Sequence, residues 1–455
     1  MPRGNEILKA RRMLKANMIS LSDYEQMVYD KTKEVVQLQE DLDIDVITSG
    51  EIERDNYVSF ISEKLGGVTQ MSMAEMLDYV DDKREFENIL TTLDVPATSI
   101  KNAICTGKLE YKGDIVSEEL KLLKSLTDKP VKITMPGPYL VTRSMWLANV
   151  SSKYYDSKED LGEDVIEIYK KEIENLQEIG VDVIQFDEPV LTEIVFTEGR
   201  PRTFMCASLS TRKDPTEELK FATHLIKSVM DSVDRDKSIC SLHVCRGNWS
   251  KNESILLTGP YTPLLDLFAD INADLLALEF STPRAGELKA LLADERINNK
   301  VILGLGVLNP RLDDKEDTDG IYKRAKEALT FIDKDKLWLN PDCGFATFSN
   351  RPVNEYDHIR EKLQSMIDAR NKLRKEYEWW YKFIPKKFQG YCIRWFGQSL
   401  QRKIMYSCGL IYFIWFRKRR IHINWFLRKL HRFRVDFDYD ESCEEKKCYI
   451  ARYRS

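Results

Sequence analysis

Short apolar runs alternate with longer amphipathic segments along most of this chain. Seven of these runs stand out: DVITSG (45–50), PVKITMPG (130–137), VDVIQFDEP (181–189), SICSLHVC (238–245), DLLALEF (274–280), VILGLGV (301–307) and LWLNPDC (337–343). Several are continuous Val/Ile/Leu stretches, which is typical of parallel strands that are buried on both faces. The segments between them, such as 157–180, begin with acidic residues and end with Gly, as helices do. The pattern therefore predicts alternating strands and helices around a parallel sheet.

Chemically capable side chains follow many of these runs at the point where each predicted strand ends. They are Glu51, Asp187, His243, Cys245, Glu279 and Cys343. An α/β barrel builds its active site in this way, whereas an open doubly wound sheet concentrates its site at one switch point. No Gly-rich phosphate-binding fingerprint follows any of the runs. We therefore predict an α/β fold of the (βα)8 TIM-type barrel class.

Two features of the chain bear on how such a barrel would close. A barrel of this class needs eight strands and the pattern gives seven, so we expect the first strand to be missing from the chain, before Met1. Residues 57–129 are too many for one crossover helix. We expect this segment to make an excursion over the barrel mouth, with a hairpin at 109–115.

His243 and Cys245 are two residues apart, so on a strand their side chains point to the same side. Imidazole and thiolate together are a zinc-type donor set, and Glu279 and Cys343 at neighbouring strand ends complete a tetrahedral site. The alternative is a buried Cys beside a hydrogen-bonded His. The combination of all four residues in one barrel favours the metal site. Cys240, on the opposite strand face, is interpreted as a packing residue.

Four segments resemble motifs of the cobalamin-independent methionine synthase superfamily: IQFDEP (184–189), LHVC (242–245), LALEFS (276–281) and LNPDCG (339–344). The resemblance extends from Pro2 to about Lys375. The variants HVCRGN (243–248), LGLGVLNPR (303–311) and NPDCGFATFSNRP (340–352) are similar to the shorter, single-barrel branch, which also resembles epoxyalkane:coenzyme M transferase.

The resemblance implies that zinc is the cofactor and that its ligands are His243, Cys245, Glu279 and Cys343. It also implies that Glu51 and Asp187 hold the amino group of homocysteine. The expected reaction is transfer of a methyl group from a donor to this small-molecule thiol, giving methionine, with a zinc-bound thiolate as the nucleophile. The alternatives are alkyl transfer between an epoxide-type electrophile and a thiol, and a truncated barrel that binds zinc without activity.

Three departures from the family pattern leave the methyl donor open. The Ile-Gly-Ser segment of the family's first strand, which binds the substrate carboxylate, has no counterpart, because the matching point is Pro2. The folate-contacting Arg has none around 98–101, and the family's Trp after Gly137-Pro138 is out of register. Leu308-Asn309-Pro310 replaces the loop that carries a proton-donating His.

From about Glu378 the composition changes. Residues 381–455 contain 18 Lys/Arg and 6 Asp/Glu, a net charge of +12, so the rest of the chain carries −17. We predict a barrel over 1–377 and a basic, aromatic-rich extension over 378–455 that is not a folded domain. Residues 416–433 suit a basic amphipathic helix, but membrane contact and nucleic-acid binding are both disfavoured readings. The charged N-terminus is no secretory signal, so we expect a cytoplasmic protein with reduced thiols.

Deletion of residues 382–455 should leave zinc binding and thermal stability nearly unchanged. This segment carries no strand–helix alternation and none of the predicted metal ligands. Thermal melts and metal analysis of the truncated and full-length proteins test the expectation. Unfolding of the truncated protein would contradict it.

Overall fold

The computed structural model describes residues 1–79, 83–84, 101–196, 214–248, 250–253, 256–298, 300–346, 355–383, 435–439 and 449–453. The chain divides into two compact units, Met1–Glu376 and Tyr377–Ser455. The strands are β1 (Leu65–Ser72), β2 (Lys101–Tyr111), β3 (Lys132–Pro136), β4 (Val183–Asp187), β5 (Ile239–Val244), β6 (Leu275–Leu278), β7 (Ile302–Leu308), β8 (Leu337–Pro341), β9 (Val435–Tyr439) and β10 (Tyr449–Tyr453).

Helices connect the strands of the first unit. The α-helices are Gly4–Lys15, Leu21–Asp41, Ile61–Lys64, Met73–Met76, Ser117–Leu126, Pro138–Met145, Ala148–Ser151, Lys158–Ile179, Leu191–Phe196, Pro215–Met230, Leu265–Asp270, Leu288–Leu292, Glu295–Asn298, Thr318–Ala328 and Tyr356–Phe383. Short 3₁₀ turns lie at Thr262–Leu264, Pro283–Ala285 and Lys334–Lys336. Within the described ranges, no helix combines the length and the apolar character that a bilayer span requires.

Strands β3 to β8 form one six-stranded sheet in which every strand is parallel to its neighbours and the spatial order follows the chain. Six of the seven predicted strands are therefore confirmed, and the first run, 45–50, contributes a single parallel bridge between Ile47 and Val131. The predicted parallel α/β architecture is confirmed as well. Because all strands run the same way, their carboxyl ends meet at one edge of the sheet.

The helix Lys158–Ile179 shows how the local sequence positions β4. The Ser157 hydroxyl accepts a hydrogen bond from the Asp160 amide at 3.0 Å, which caps the helix start. Gly180 ends the helix in the left-handed region, at φ 90°. Tyr169 on this helix packs against Phe186, with ring centroids 6.3 Å apart. Phe186 therefore faces the helices, and its neighbours Gln185 and Asp187 face the opposite side of the sheet.

The excursion between Ile47 and β3 contains an antiparallel ribbon rather than a local hairpin at 109–115. Strands β1 and β2 pair from Leu65 with Tyr111 to Ser72 with Lys101. Residues 109–111 thus belong to a long strand, and the partners of Glu110 and Tyr111 lie about 45 residues earlier in the chain. The expected hairpin at 109–115 is wrong, because this distant pairing satisfies the backbone hydrogen bonds of those residues.

The last helix of the first unit contacts the beginning of the chain. The Tyr356 hydroxyl donates to the Pro2 carbonyl at 2.5 Å, and Arg370 donates to the Asp43 carbonyl at 2.6 Å and to Asp45 at 2.8 Å. Among the described residues, no backbone ladder links β8 with Ile47. Side chains thus connect the helix that follows β8 to the first 45 residues. Closure of the barrel and the strand expected before Met1 stay predictions.

In the second unit, β9 and β10 form an antiparallel pair. The basic segment 416–433 and the CEEKKC segment 443–448 lie outside the described residues. The interpretation of 378–455 as an unfolded extension stays a prediction.

Glu172 connects the ribbon to the helical layer and provides a test of the fold. It is fully buried and accepts hydrogen bonds from the Tyr111 hydroxyl, the Ile115 and Val116 amides and the Ser117 hydroxyl, at 2.6 to 3.0 Å. Glu172→Gln should lower the free energy of unfolding by about 3 kcal/mol, because buried donors lose a charged acceptor. Urea unfolding measures this loss.

Glu174→Gln is the matched control, since Glu174 lies exposed on the same helix. It should change stability by less than about 0.5 kcal/mol. Equal effects of the two substitutions would show that Glu172 does not organise this part of the fold.

Candidate metal and substrate site

The ligating atoms of His243, Cys245 and Cys343 all lie within 4.8 Å of one another. His243 is in β5, Cys245 directly follows that strand, and Cys343 follows β8 by two residues. The distance from Cys343 Sγ to His243 Nε2 is 3.5 Å. The structure thus brings together three of the four predicted ligands, from strands that are separated by about 100 residues in the sequence.

The sheet orients the imidazole of His243. Its Nδ1–H donates to the carbonyl of Ala277 at 2.9 Å, across the pairing of β5 with β6. A carbonyl can only accept, so Nδ1 carries a proton and Nε2 is the nitrogen that faces Cys343 and could bind an ion once deprotonated. Metal-binding histidines are held in this way in many proteins.

The thiol of Cys245 has a pKa well below its ordinary value, because it accepts a hydrogen bond from Cys343 and lies beside His243. For His243, burial lowers the pKa, but the hydrogen bond with Cys245 and the charges of Cys245 and Asp187 outweigh it and raise the pKa to about 9. One thiolate beside one protonated imidazole is therefore the favoured charge state of the group at neutral pH.

These three residues suit a zinc ion. Two sulfurs and one nitrogen form a soft to borderline donor set. Ligands of a tetrahedral ion with bonds of about 2.0–2.3 Å lie roughly 3.3–3.8 Å apart. The 3.5 Å between Cys343 Sγ and His243 Nε2 falls within this range. Three protein ligands leave a fourth position, which is the arrangement of catalytic zinc sites.

Glu279, the fourth predicted ligand, is fully buried directly after β6. Its Oε2 accepts the backbone N–H of Arg246 at 2.8 Å, and its Oε1 accepts from Arg284 Nε at 3.1 Å and from Arg284 Nη2. The structure places this carboxylate in an ion pair with Arg284 and does not group it with the other three ligands. Its role as a ligand stays a prediction.

Buried hydrogen bonds tie the ends of β5, β6 and β8 together. Asp342 accepts the backbone amides of Phe280 and Ser281 at 3.1 and 3.0 Å, which fixes the β8 end against the segment after β6. The Tyr261 hydroxyl donates to the Val244 carbonyl at 2.7 Å and accepts the Glu279 amide at 3.0 Å. The loops that carry Cys245, Glu279 and Cys343 therefore form one rigid frame.

Asp187 lies beside the metal cluster, because it is opposite His243 in the β4–β5 register. Burial raises the pKa of Asp187 to about 6, His243 opposes this effect, and Glu51 adds to it. Its Oδ1 accepts from Gln185 Nε2 at 2.8 Å, and Gln185 in turn accepts from Lys132 at 3.0 Å. In the described part of the chain, the side chain that hydrogen-bonds to the Asp187 carboxylate is thus a neutral amide.

Glu51 is close enough to Asp187 to affect its ionisation, so the structure brings the two predicted substrate carboxylates into one region. Its Oε1 accepts from the Thr134 hydroxyl at 2.5 Å and lies 3.4 Å from Arg54. Burial raises the pKa of Glu51, but Arg54 and the chain's amino group outweigh it and lower the pKa to about 2. Glu51 has φ 57°, in the left-handed region, which turns the chain at this point.

Sequence reasoning missed the buried arginines around the site. Arg246 and Arg311 are fully buried and Arg284 is 7% exposed. Arg246 lies in the HVCRGN segment (243–248) and Arg311 in LGLGVLNPR (303–311). Arg284 lies three residues after the LALEFS segment (276–281). An arginine close in sequence to a predicted ligand at a strand end is the signal that could have indicated a buried ion pair.

Comparison with known proteins agrees with this geometry. Residues 1–372 match the family described as cobalamin-independent synthase, catalytic domain. The chain therefore belongs to this family, as its motifs predicted.

Curated relatives carry the name 5-methyltetrahydropteroyltriglutamate–homocysteine methyltransferase. The protein from Bacillus licheniformis is 26% identical over 373 residues, which are 82% of this chain and 42% of the relative. That from Thermotoga petrophila is 25% identical over 381 residues, which are 83% of this chain and 44% of the relative. The chain thus spans about two fifths of the length of these relatives.

Two solved structures share the fold. A B12-independent methionine synthase from Shewanella sp. W3-18-1, in complex with selenomethionine, has a TM-score of 0.60 at 20% identity and covers 79% of this chain and 91% of its own. A putative vitamin-B12 independent methionine synthase from Listeria monocytogenes has a TM-score of 0.59 at 19% identity and covers 82% of this chain and 95% of its own.

Replacement of either cysteine should remove most of the bound metal. Wild-type protein should hold about one zinc per chain, and Cys245→Ser or Cys343→Ser should lose it, because each removes one thiolate from the ion. Metal analysis after dialysis against a weak chelator measures occupancy. Cys240→Ser is the matched control, since Cys240 is a buried thiol in β5 outside the three-residue cluster. Full occupancy in both ligand variants would contradict the assignment.

Proposed function

We propose that this chain is a zinc-dependent methyltransferase that methylates a small amino-acid thiol of the homocysteine type. The observation that carries the proposal is the cluster of His243, Cys245 and Cys343 with Asp187 directly beside it. A soft metal site recognises sulfur, and an adjacent carboxylate recognises an amine. An aminothiol is the substrate class that satisfies both.

The chain's residues would divide the work as follows. His243, Cys245 and Cys343 would hold the ion, and Glu279 would be the fourth ligand, as the family resemblance implies. A bound zinc ion would supply the positive charge that favours the thiolate form of an incoming thiol at neutral pH. The frame around Tyr261 and Asp342 keeps these side chains in place and so fixes where the sulfur lies.

Asp187 and Glu51 are proposed to bind the ammonium group of the substrate. Two neighbouring half-buried carboxylates repel each other, and the raised pKa of Asp187 is consistent with that repulsion and with desolvation. An ammonium group between them would compensate the charge of Asp187 and add to the ion pair that Glu51 makes with Arg54. The direct partner of Asp187 is a neutral amide, Gln185, so its carboxylate has capacity for a further donor.

The chemical step is a displacement at carbon. The substrate sulfur forms a bond to the methyl carbon, the bond between methyl and its donor breaks, and the thiol proton passes to solvent. The donor's leaving atom keeps the electron pair of the broken bond and then takes up a proton. Following the names of the curated relatives, we propose a methyltetrahydropteroyl compound as donor.

We further propose that strands β3–β8 and the segment around Ile47 are parts of a (βα)8 barrel, to which residues 1–377 belong. Structural neighbours with TM-scores near 0.6 support this reading. Residues 378–455 are proposed to be an extension without a role in the reaction. A cytoplasmic location suits a site that depends on reduced thiols.

Asp187→Asn tests the aminothiol assignment. The variant should retain zinc but bind homocysteine roughly 10- to 150-fold more weakly, because a charge-assisted hydrogen bond to the ammonium group is lost. Calorimetric titration of the zinc-loaded proteins measures both dissociation constants. The control ligand is 4-mercaptobutyrate, which is homocysteine without its amino group. Its affinity should be nearly unchanged, and an equal loss for both ligands would make Asp187 a structural residue.

A further inference from the structure

The Glu279 carboxylate lies among three buried arginines. Arg284 donates to Oε1 from two nitrogens, Arg246 donates its backbone N–H to Oε2, and Arg311 Nη2 lies 3.9 Å from Oε1. The side chains of Glu279 and Arg311 are 0% exposed and that of Arg284 is 5% exposed. Because so little solvent reaches this carboxylate, protein groups rather than water compensate its charge.

The same carboxylate is close to the proposed metal site. Its Oε2 accepts the backbone N–H of Arg246, the residue directly after Cys245, at 2.8 Å. Asp342, the residue directly before Cys343, accepts the amides of the two residues that follow Glu279. A metal ion held by the thiols of these two cysteines would therefore attract Glu279 as well. Oε1, however, already accepts two N–H groups of Arg284, from Nε and Nη2, and hydrogen bonds between charged partners are roughly twice as strong as those between neutral ones.

Arg284 is built to keep this contact. It lies in the 3₁₀ turn Pro283–Ala285, five residues after Glu279 in the same strand-to-helix connection. Asp342 fixes the connection between them through the amides of Phe280 and Ser281. Arg311 has a separate anionic partner, Glu253 at 3.0 Å, so Arg284 is the main counter-ion of Glu279.

We propose that Arg284 is a positioning residue that competes with the metal ion for Glu279 and so keeps the fourth coordination position available to the thiol substrate. The proposal rests on the proposed function, since it requires a metal at His243, Cys245 and Cys343. Beyond that function, it gives Arg284 control over how strongly Glu279 binds the ion as the fourth ligand. Zinc affinity and thiol affinity then respond to Arg284 in opposite directions.

Arg284→Gln provides the test. Without the guanidinium, Glu279 is free to ligate the ion, so zinc should bind on the order of tenfold more tightly in competition with a chromophoric chelator. Homocysteine should bind to the zinc-loaded variant more weakly by a similar factor, because it must displace a stronger ligand. When Arg284→Gln is added to Glu279→Gln, it should change neither the zinc affinity nor the thiol affinity of the Glu279→Gln protein.

A purely structural role for Arg284 gives a different result, namely weaker binding of zinc and thiol together with a lower melting temperature. That result, or unchanged affinities, overturns the proposal. Arg284→Lys, which keeps the charge and one donor direction, should shift both affinities in the same directions by a smaller factor, and it serves if the Gln variant does not fold. Arg296→Gln, at an exposed ion pair with Asp266, is the matched control.

The outcome also separates this inference from the proposed function. Failure of the wild-type protein to bind zinc would contradict both the proposed function and the role of Arg284. Zinc binding that depends on Cys245 and Cys343 but does not change in Arg284 variants would contradict only the proposal that Arg284 competes with the ion for Glu279. Cobalt-substituted protein gives a second readout, because its visible spectrum reports the coordination number in wild type and in Arg284→Lys.

Discussion

The register of the parallel strands decides whether the chemically capable side chains of this protein meet. Asp187 pairs with His243, and His243 pairs with Ala277, along one continuous ladder through β4, β5 and β6. Side chains alternate between the two faces of a strand, so a slip of one residue would turn His243 toward the helices and Phe186 toward the site. The apolar face that packs on the helix Lys158–Ile179 prevents this slip. The packing of the helix on the sheet therefore fixes the strand register, and the strand register fixes the geometry of the metal site.

A second constraint is electrostatic. The site gathers several ionisable groups where little water can solvate them, and each buried charge costs several kcal/mol unless it is paired. The structure meets this cost in two ways. Glu279 and Arg284 neutralise each other, and Asp342 accepts several hydrogen bonds from the segment after β6. The thiols and Asp187 are compensated less completely, and these are the groups for which an ion and an ammonium group are proposed.

Much of this arrangement could be predicted from the sequence, because the relevant signals are local. The seven apolar runs mark the strands, and the spacing of His243 and Cys245 puts both on one strand face. The ribbon of β1 and β2 escaped prediction because LGGVTQMS (65–72) is rich in Gly and polar residues and its partner is distant in the chain. Arg284 escaped because an arginine near a turn usually faces solvent. Only the folded structure shows that it is buried against Glu279.

The hydrogen bond from His243 Nδ1 to the Ala277 carbonyl has a consequence for how the site tolerates mutation. In many metal sites a carboxylate or amide side chain orients the histidine, and any substitution of that side chain releases it. Here the acceptor is a main-chain oxygen in the interior of a parallel sheet. No side-chain substitution at residue 277 removes that oxygen. The backbone thus fixes the proton on Nδ1 of His243, and this hydrogen bond is lost only if the strand itself moves.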